Sequence, residues 1–400
     1  MTAEQLQRPL RLPAMVWTFL KLGSLGFGGG MAMIALMEME FVKRRRLIDI
    51  EEFIHGVALS QILGSFPVNA AFFIGYRLHR WLGGVLAGLA FLLPSLAAVI
   101  LLSWLYFTYH HMPLLQAMLD SMAPVVMGIL VTMAWGMKRR LVHSPLVWAL
   151  VLSGCLGSVA RVNPLALLGG GGLLGWWQRM NTSHRPRKHP QPGPTAVVVG
   201  VPLAAQLVPH GAVGTMVTSV PLVTLGWTFL KVGLAFFGGG VVLIPLLKQL
   251  VVDRLHWLTM QEFIDGVAIS QLMPGTIAVL ATFAGYRLGG LPGALVATAG
   301  LFLPSLVLMT FLSQFYSQFR HLENVKHFLA GVNPVVVGMV MSAAIYLAPT
   351  VFPLQEPGRL VLNVALFALT LVMVGRDKRH PALVLGIGAL TGAIYGAIAG

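Results

Sequence analysis

The sequence predicts an all-α polytopic membrane protein: two inverted-topology repeats of about six helices each, one linking span, and broken helices at mid-membrane. Three observations predict it. The 400 residues are 56% hydrophobic and only 10% charged, with a mean hydropathy of +0.80, where a soluble domain carries about 25% charge. A long stretch of sequence repeats at a fixed offset of 210. Glycine triplets interrupt the same apolar run in both copies.

Composition excludes soluble, disordered and fibrous classes, because a soluble fold this apolar would expose large aggregating patches. The single cysteine, Cys155, leaves no disulfide framework or cysteine-rich metal site. The opening stretch MTAEQLQRPLRLPAM is polar and no Ala-x-Ala exit follows it, so no cleaved leader is expected. Net charge is +14, from 27 Lys+Arg against 13 Asp+Glu. That excess reads either as basic loops fixing topology or as a positive field for an anionic substrate. Nucleic-acid binding is not expected, since no extended basic domain lies outside the apolar runs.

The repeat is dense. WTFLKLG at 17–23 returns as WTFLKVG at 227–233, FGGG at 27–30 returns at 237–240, and EFIHGVALSQ at 52–61 returns as EFIDGVAISQ at 262–271. GYRL, LPS and PVVMG recur likewise. Over 17–95, 33 of 79 paired positions are identical without a gap. Lys, Glu, Gln, Arg and Pro keep register, so shared greasiness does not explain it. The expected division is a cytoplasmic N-terminal segment 1–13, a first repeat 14–177, a basic Pro-rich linker 178–194, a linking span 195–220 and a second repeat 221–400. The linker QRMNTSHRPRKHPQPGP is polar and extended in character.

Apolar runs in the first copy fall near 14–38, 54–76, 82–108, 122–137, 145–160 and 163–177. Those of the second fall near 222–247, 264–286, 291–318, 331–349, 360–375 and 381–399. They lack barrel alternation, so helices must satisfy the backbone in lipid. With the N-terminus inside, the cytoplasmic loops of the first copy hold eleven basic residues, Arg77, Arg80 and Lys138–Arg140 among them. The opposite side holds five, Lys43–Arg46 and Arg161. In the second copy the odd loops hold six and the even loops two. The positive-inside rule therefore turns the second copy upside down, and the uncharged run 195–220 supplies a thirteenth crossing. Lys43–Arg46 violates the rule and is expected at a re-entrant turn or paired with Asp49, Glu51 and Glu52.

Three consecutive glycines disfavour a helix by about 1 kcal/mol each relative to alanine. Phe27, Gly28, Gly29 and Gly30, with Phe237, Gly238, Gly239 and Gly240, therefore mark broken helices whose freed N–H groups and positive dipole ends suit an anion. Close packing through small residues is the alternative. Lys21 and Lys231 lie six residues earlier and read either as counter-charges or as snorkelling anchors. Ser60-Gln61 and Ser270-Gln271 each precede a further break, Gly64-Ser65-Phe66-Pro67 with Asn69 in the first copy and Pro274-Gly275-Thr276 in the second. Their amides read as oxyanion donors or interhelical glue. Arg77 and Arg287 read as interfacial anchors or gate charges, and Glu52 and Glu262 as helix caps or proton carriers. Pro94-Ser95 and Pro304-Ser305 are expected to kink the third run. His110-His111 is expected to be a loop pair rather than a metal site. Asp120 and Asp265 stand as scattered carboxylates without partners. No HExxH, EF-hand loop, P-loop or nucleophile elbow is present, so neither an enzyme nor a cofactor is expected.

Taken together, the paired Phe-Gly-Gly, the Glu-Phe…Ala-x-x-Gln stretch, Pro274-Gly275-Thr276, Gly-Tyr-Arg-Leu and Leu-Pro-Ser resemble the chromate ion transporter family in its long, two-domain form. The resemblance spans about 15–175 and 225–400. It implies a multi-pass bacterial inner-membrane protein that exports chromate, a sulfate-like dianion, from the cytoplasm at the expense of the proton gradient, with antiparallel halves. The family commonly carries Pro where Gly30 stands here, and Pro-Gly-Pro where this chain has Gly64-Ser65-Phe66 and Pro274-Gly275-Thr276. The expected function is secondary active transport of chromate or a similar oxyanion by alternating access, with a passive anion channel or a carrier of another anion such as sulfate as the alternative. The N-terminus is expected in the cytoplasm and the C-terminus outside. Expected partners are the oxyanion and the bilayer, with a homodimer left open.

Overall fold

The computed structural model describes residues 10–25, 29–109, 112–138, 145–160, 162, 164–182, 220–236, 242–314, 323–353, 356–377 and 379–399. The linking run expected at 195–220 and the pair His110-His111 lie outside the described residues, apart from Val220. Among the described residues there are fourteen α-helices and no strand. In the first half they are α1 (Leu12–Leu25), α2 (Gly29–Met37), α3 (Ile50–Ile62), α4 (Phe66–Tyr109), α5 (Pro113–Lys138), α6 (Pro145–Val159) and α7 (Pro164–Thr182). In the second they are α8 (Leu222–Ala235), α9 (Leu243–Leu247), α10 (Met260–Leu272), α11 (Leu280–Gln314), α12 (Glu323–Val351), α13 (Pro357–Thr370) and α14 (Pro381–Ala399).

The offset of the sequence repeat recurs in the backbone. α8 begins and ends at the positions equivalent to the ends of α1, and α10 stands in the same relation to α3. π-helical turns at Glu38–Arg44 and Lys248–Arg254 keep the spacing, as do the left-handed residues Arg46 (φ 51°) and His256 (φ 49°). A π turn stacks residue i over i+5, and each turn is clasped by an ion pair at that separation. Glu38 meets Lys43 at 2.8 Å in one, and Lys248 meets Asp253 at 2.9 Å in the other, with the signs exchanged. The basic run at 43–46 thus finds its partners on its own turn rather than at Asp49, Glu51 or Glu52: Arg44 and Arg45 both bind Glu40.

Within α4 the backbone leaves helical geometry at His79 and Arg80 (φ 54°), and within α11 at the equivalent residues Gly289 and Gly290 (φ 58°). These are reversals. Gly75 packs on the Gly83 carbonyl and Gly84 on the Phe72 ring. A continuous helix carries residues that far apart in sequence well away from each other along its axis and could not make these contacts. The arm 66–78 also folds back on α3. Gly56 touches the Phe73 ring, and Arg77 at the arm's end binds Glu52 at the start of α3. The same closure joins Arg287 to Glu262 at 2.7 Å. The apolar runs 54–76 and 264–286, expected as single spans, are therefore helical hairpins with tips at 63–65 and 273–276. Each arm of about 13 residues is ~20 Å long, shorter than the ~30 Å hydrocarbon core. α1 and α2 fold back as well, since Phe19 stacks on Phe41 with ring centroids 4.9 Å apart.

After each reversal a long segment runs on, 81–109 in α4 and 291–314 in α11. These equivalent segments pack in opposite senses. Gly88, near the start of one, lies against Leu306, late in the other. At the far end of the first, Tyr106 and Phe107 pack at a tilt against Phe283, and Phe107 stacks on Tyr286. Pro94 and Pro304 leave both segments helical, and Ser95 and Ser305 return hydroxyls to the carbonyls of Leu92 and Phe302.

The remaining helices form a bundle by exchange. α6 and α7 of the first half pack on α12 of the second, while α13 and α14 pack on α5. The approach is backbone-close: Gly338 sits on the Val151 carbonyl and Gly154 on that of Val335. A Gly338→Leu variant is expected to lose about 1–3 kcal/mol through overpacking, read as a lowered unfolding temperature of the purified chain. The perimeter is apolar, with Trp17, Trp81, Trp135, Trp148, Trp177 and Trp227 exposed among many leucines, as a lipid-facing surface requires. Five described helices, Phe66–Tyr109 among them, are long and apolar enough to cross a membrane.

Candidate anion site

The first hairpin tip meets both helix breaks, and the second faces Ser95 of α4. α1 ends at Leu25 and α2 begins at Gly29, the intervening 26–28 lying outside the described residues. α8 ends at Ala235, followed by Phe236 in a non-helical conformation (φ −84°, ψ 85°); Phe237–Gly240 lie outside the described residues, as do Phe27 and Gly28. Gly30, in the first turn of α2, abuts the ring of Phe66, the first residue after tip 63–65. Gly64 in that tip (φ +76°) abuts the carbonyl and ring of Phe236, where α8 stops. Only glycine meets both conditions there, a left-handed backbone and no room for Cβ. Across the centre Gly275 (φ +106°) faces Ser95, midway along the long segment of α4.

The side chains at the tips are buried and incompletely paired. Gln271 is 8% exposed and its Nε2 has no hydrogen-bond partner in the protein. The Ser65 hydroxyl and Asn69 Oδ1 are also buried and unpaired. Asn69 uses its amide Nδ2 to brace the tip, donating to the Leu63 carbonyl at 3.1 Å. Ser60 and Ser270 are occupied, each donating to the carbonyl four residues earlier at 2.7 Å. Thr276 accepts from the Ala278 N–H at 3.2 Å and starts the second arm of its hairpin. Pro274 shapes the same tip. For Gln61 the backbone is helical to Ile62, and its side chain lies outside the described residues. Leaving a buried donor unpaired costs about 1–3 kcal/mol, so Gln271 is the strongest single mark of a ligand here. The setting favours an anion. α2 and the second arm of the first hairpin begin at these breaks, putting positive dipole ends inward, and the sequence holds no Asp or Glu from 53 to 119 or from 266 to 322.

Other expected residues lie apart from the tips. Lys21 is exposed with its Nζ 5.2 Å over the exposed Trp17 ring, and Lys231 sits 5.4 Å over Trp227, an arrangement of interfacial anchors. Arg77 and Arg287 close the hairpin bases on Glu52 and Glu262, and Glu262 also completes a capping box with Thr259. Asp120 and Asp265, read as unpartnered, are brought into one network. Asp265 accepts from Tyr106 at 2.8 Å and from Gln261 at 3.2 Å, and Asp120 binds Arg359. Ser95 had no signal beyond its Pro-Ser motif. Among the described residues no cluster of His, Cys, Asp and Glu could hold a metal.

The chromate transporter family profile matches residues 13–176 and 223–393, both halves and most of the chain. The chain belongs to that family. It is 30% identical to the chromate transport protein of Cupriavidus metallidurans over 96% of this chain and 93% of that one. It is 30% identical to the chromate transport protein of Pseudomonas aeruginosa over 98% and 94%, and 28% identical to a probable chromate transport protein of Synechococcus elongatus over 94% of each. No solved structure matches the chain. Membership makes it a multi-pass transmembrane transporter of the chromate class, and both family segments end within the paired units seen in the fold.

Proposed function

We propose that this transporter exports chromate or a closely similar oxyanion from the cytoplasm by alternating access driven by the proton gradient. The bound anion sits where the hairpin tips lie beside the breaks of α1–α2 and α8–α9, held by the Gln271 amide, the Ser65 hydroxyl and freed backbone N–H groups. The observation that carries this reading is the buried, unpaired Gln271 Nε2 at a carboxylate-free tip. A dianion in an apolar midplane needs such compensation. The two repeats lie inverted across the membrane, with the N-terminus inside and the C-terminus outside; the opposed packing of 81–109 and 291–314 supports the inversion, and with the hairpins closed Lys43–Arg46, Arg77 and Arg80 fall on the N-terminal side, which the positive-inside rule makes cytoplasmic. In that geometry, moving the hairpins against the exchanged bundle exposes one site to either side in turn.

Flux of labelled chromate and sulfate into proteoliposomes, with and without a pH gradient, tests the function. Saturable chromate flux accelerated by the gradient is expected, with sulfate competing; flux that neither saturates nor responds to pH identifies a passive channel. Reporter tags on the two termini are expected in opposite compartments, and tags found on one side would remove the inverted topology.

A further inference from the structure

Asp265 lies six residues into α10, ~9 Å from the Thr259 cap and the same distance short of Gln271. It is 3% exposed. Its surroundings can be enumerated from each packed element. α4 contributes the Tyr106 hydroxyl, donating at 2.8 Å. α10 itself contributes Gln261, whose Nε2 reaches Asp265 Oδ1 at 3.2 Å and Asp120 Oδ1 at 3.5 Å, and also Glu262. α11 contributes Arg287, committed to Glu262 at 2.7 Å. α5 contributes Asp120, and α13 contributes Arg359, which binds Asp120 and lies 3.7 Å from Glu356. The π turn Lys248–Arg254 also packs on α10 and carries Arg254 and the mutually paired Lys248 and Asp253, whereas α14 carries no Asp, Glu, Lys, Arg or His.

The charges do not balance. Asp120 has Arg359 and Glu262 has Arg287, but no cationic nitrogen forms an ion pair with Asp265 among the described residues. A buried carboxylate with only neutral donors is costly when ionised. The network also crosses the boundary between the two groups of packed helices. Tyr106, Gln261 and Asp265 belong to the hairpin core, whereas Asp120 and Arg359 belong to the exchanged bundle. It is unique to one repeat, because the positions equivalent to Asp265 and Asp120 in the other copy are His55 and Ala330. The hairpin and its Ser-Gln pair recur in both copies of the sequence, and this site does not.

Resting on the reading of proton-coupled export, we propose that Asp265 is the residue that carries the coupling proton, and that Gln261 transmits its state across that boundary to Asp120. Ionised, Asp265 shares the Gln261 amide with Asp120. When a proton bonds to Oδ1, that oxygen loses its charge and becomes a weaker acceptor, the Gln261 amide shifts toward the still-ionised Asp120, and the tie between α10 and α5 strengthens. Loss of the proton reverses this. Arg359, about a third exposed, opens the network to water at the bundle side. No other bond is made or broken.

The full-length chain in proteoliposomes provides the test through two assays. One is labelled chromate counterflow at equal pH; the other is chromate accumulation driven by an imposed pH gradient. The wild type is expected to perform both. Asp265→Asn is expected to keep counterflow within about twofold and to lose gradient-driven accumulation by at least tenfold. Tyr106→Phe removes a donor to the ionised carboxylate, so the pH midpoint of accumulation is expected to rise by about one pH unit. Asp265→Asn accumulating chromate as the wild type does overturns the proposal. So does a Tyr106→Phe profile that coincides with the wild type. A wild type that exchanges chromate but ignores the gradient removes the proton-coupled reading itself, and this proposal with it, before any variant is compared.

Discussion

Gln271→Leu is expected to reduce chromate flux by at least a hundredfold while leaving the purified chain as stable as the wild type, or more so. The two effects have one origin. Nε2 is buried without a protein partner, so its desolvation is uncompensated in the ligand-free protein, and replacing it by an apolar group of similar size relieves about 1–3 kcal/mol. The same donor would complete a charge-assisted hydrogen bond to an oxyanion, a class roughly twice as strong as neutral pairs. Flux and unfolding temperature measured on one preparation decide the matter. A variant that is destabilised and inactive in proportion would make Gln271 a structural residue.

Gly64→Leu is expected to abolish transport with membrane insertion intact. The position needs a left-handed backbone, which costs a side chain about 1–2 kcal/mol. A Cβ there runs into the carbonyl and ring of Phe236, a backbone neighbour that cannot yield as a flexible side chain would. The hairpin tip must then move away from the end of α8, and the meeting of the two breaks is lost. The exchanged contacts of α6 with α12 and of α13 with α5 are remote from the tip and should still assemble. Normal abundance in the membrane fraction with no flux is the expected pair of readings; wild-type flux would separate tip geometry from transport.

Much of this was legible in the sequence because helix breakers act locally. Three glycines, or Pro-Gly-Thr, weaken a helix without always ending it, since Gly169–Gly172 lie inside α7; it is their recurrence in register across the two copies that marks the paired interruptions. The direction of the chain after a break was not legible. Hydropathy over 54–76 is the same whether the segment crosses the bilayer or returns, so a hairpin reads as a span. One clue existed: opposite charges, Glu52 and Arg77, at the two ends of the run, which a hairpin brings together and a span would hold about 38 Å apart. The outward placement of Lys21 and Lys231 was also encoded, in a Trp four residues earlier on the same helical face. The union of Asp265 with Tyr106 and Asp120 joins positions from opposite halves of the chain, on three helices with no shared local pattern, and only the tertiary fold discloses it.

The central claim is that an oxyanion binds where the hairpin tips meet the helix breaks. Equilibrium binding of labelled chromate to the detergent-purified chain tests it most directly, comparing wild type with Gln271→Leu and Gly64→Leu at fixed pH and ionic strength. Saturable binding to the wild type, displaced by sulfate and lost in both variants, is the predicted result. Chromate bound equally well by all three proteins would contradict the account.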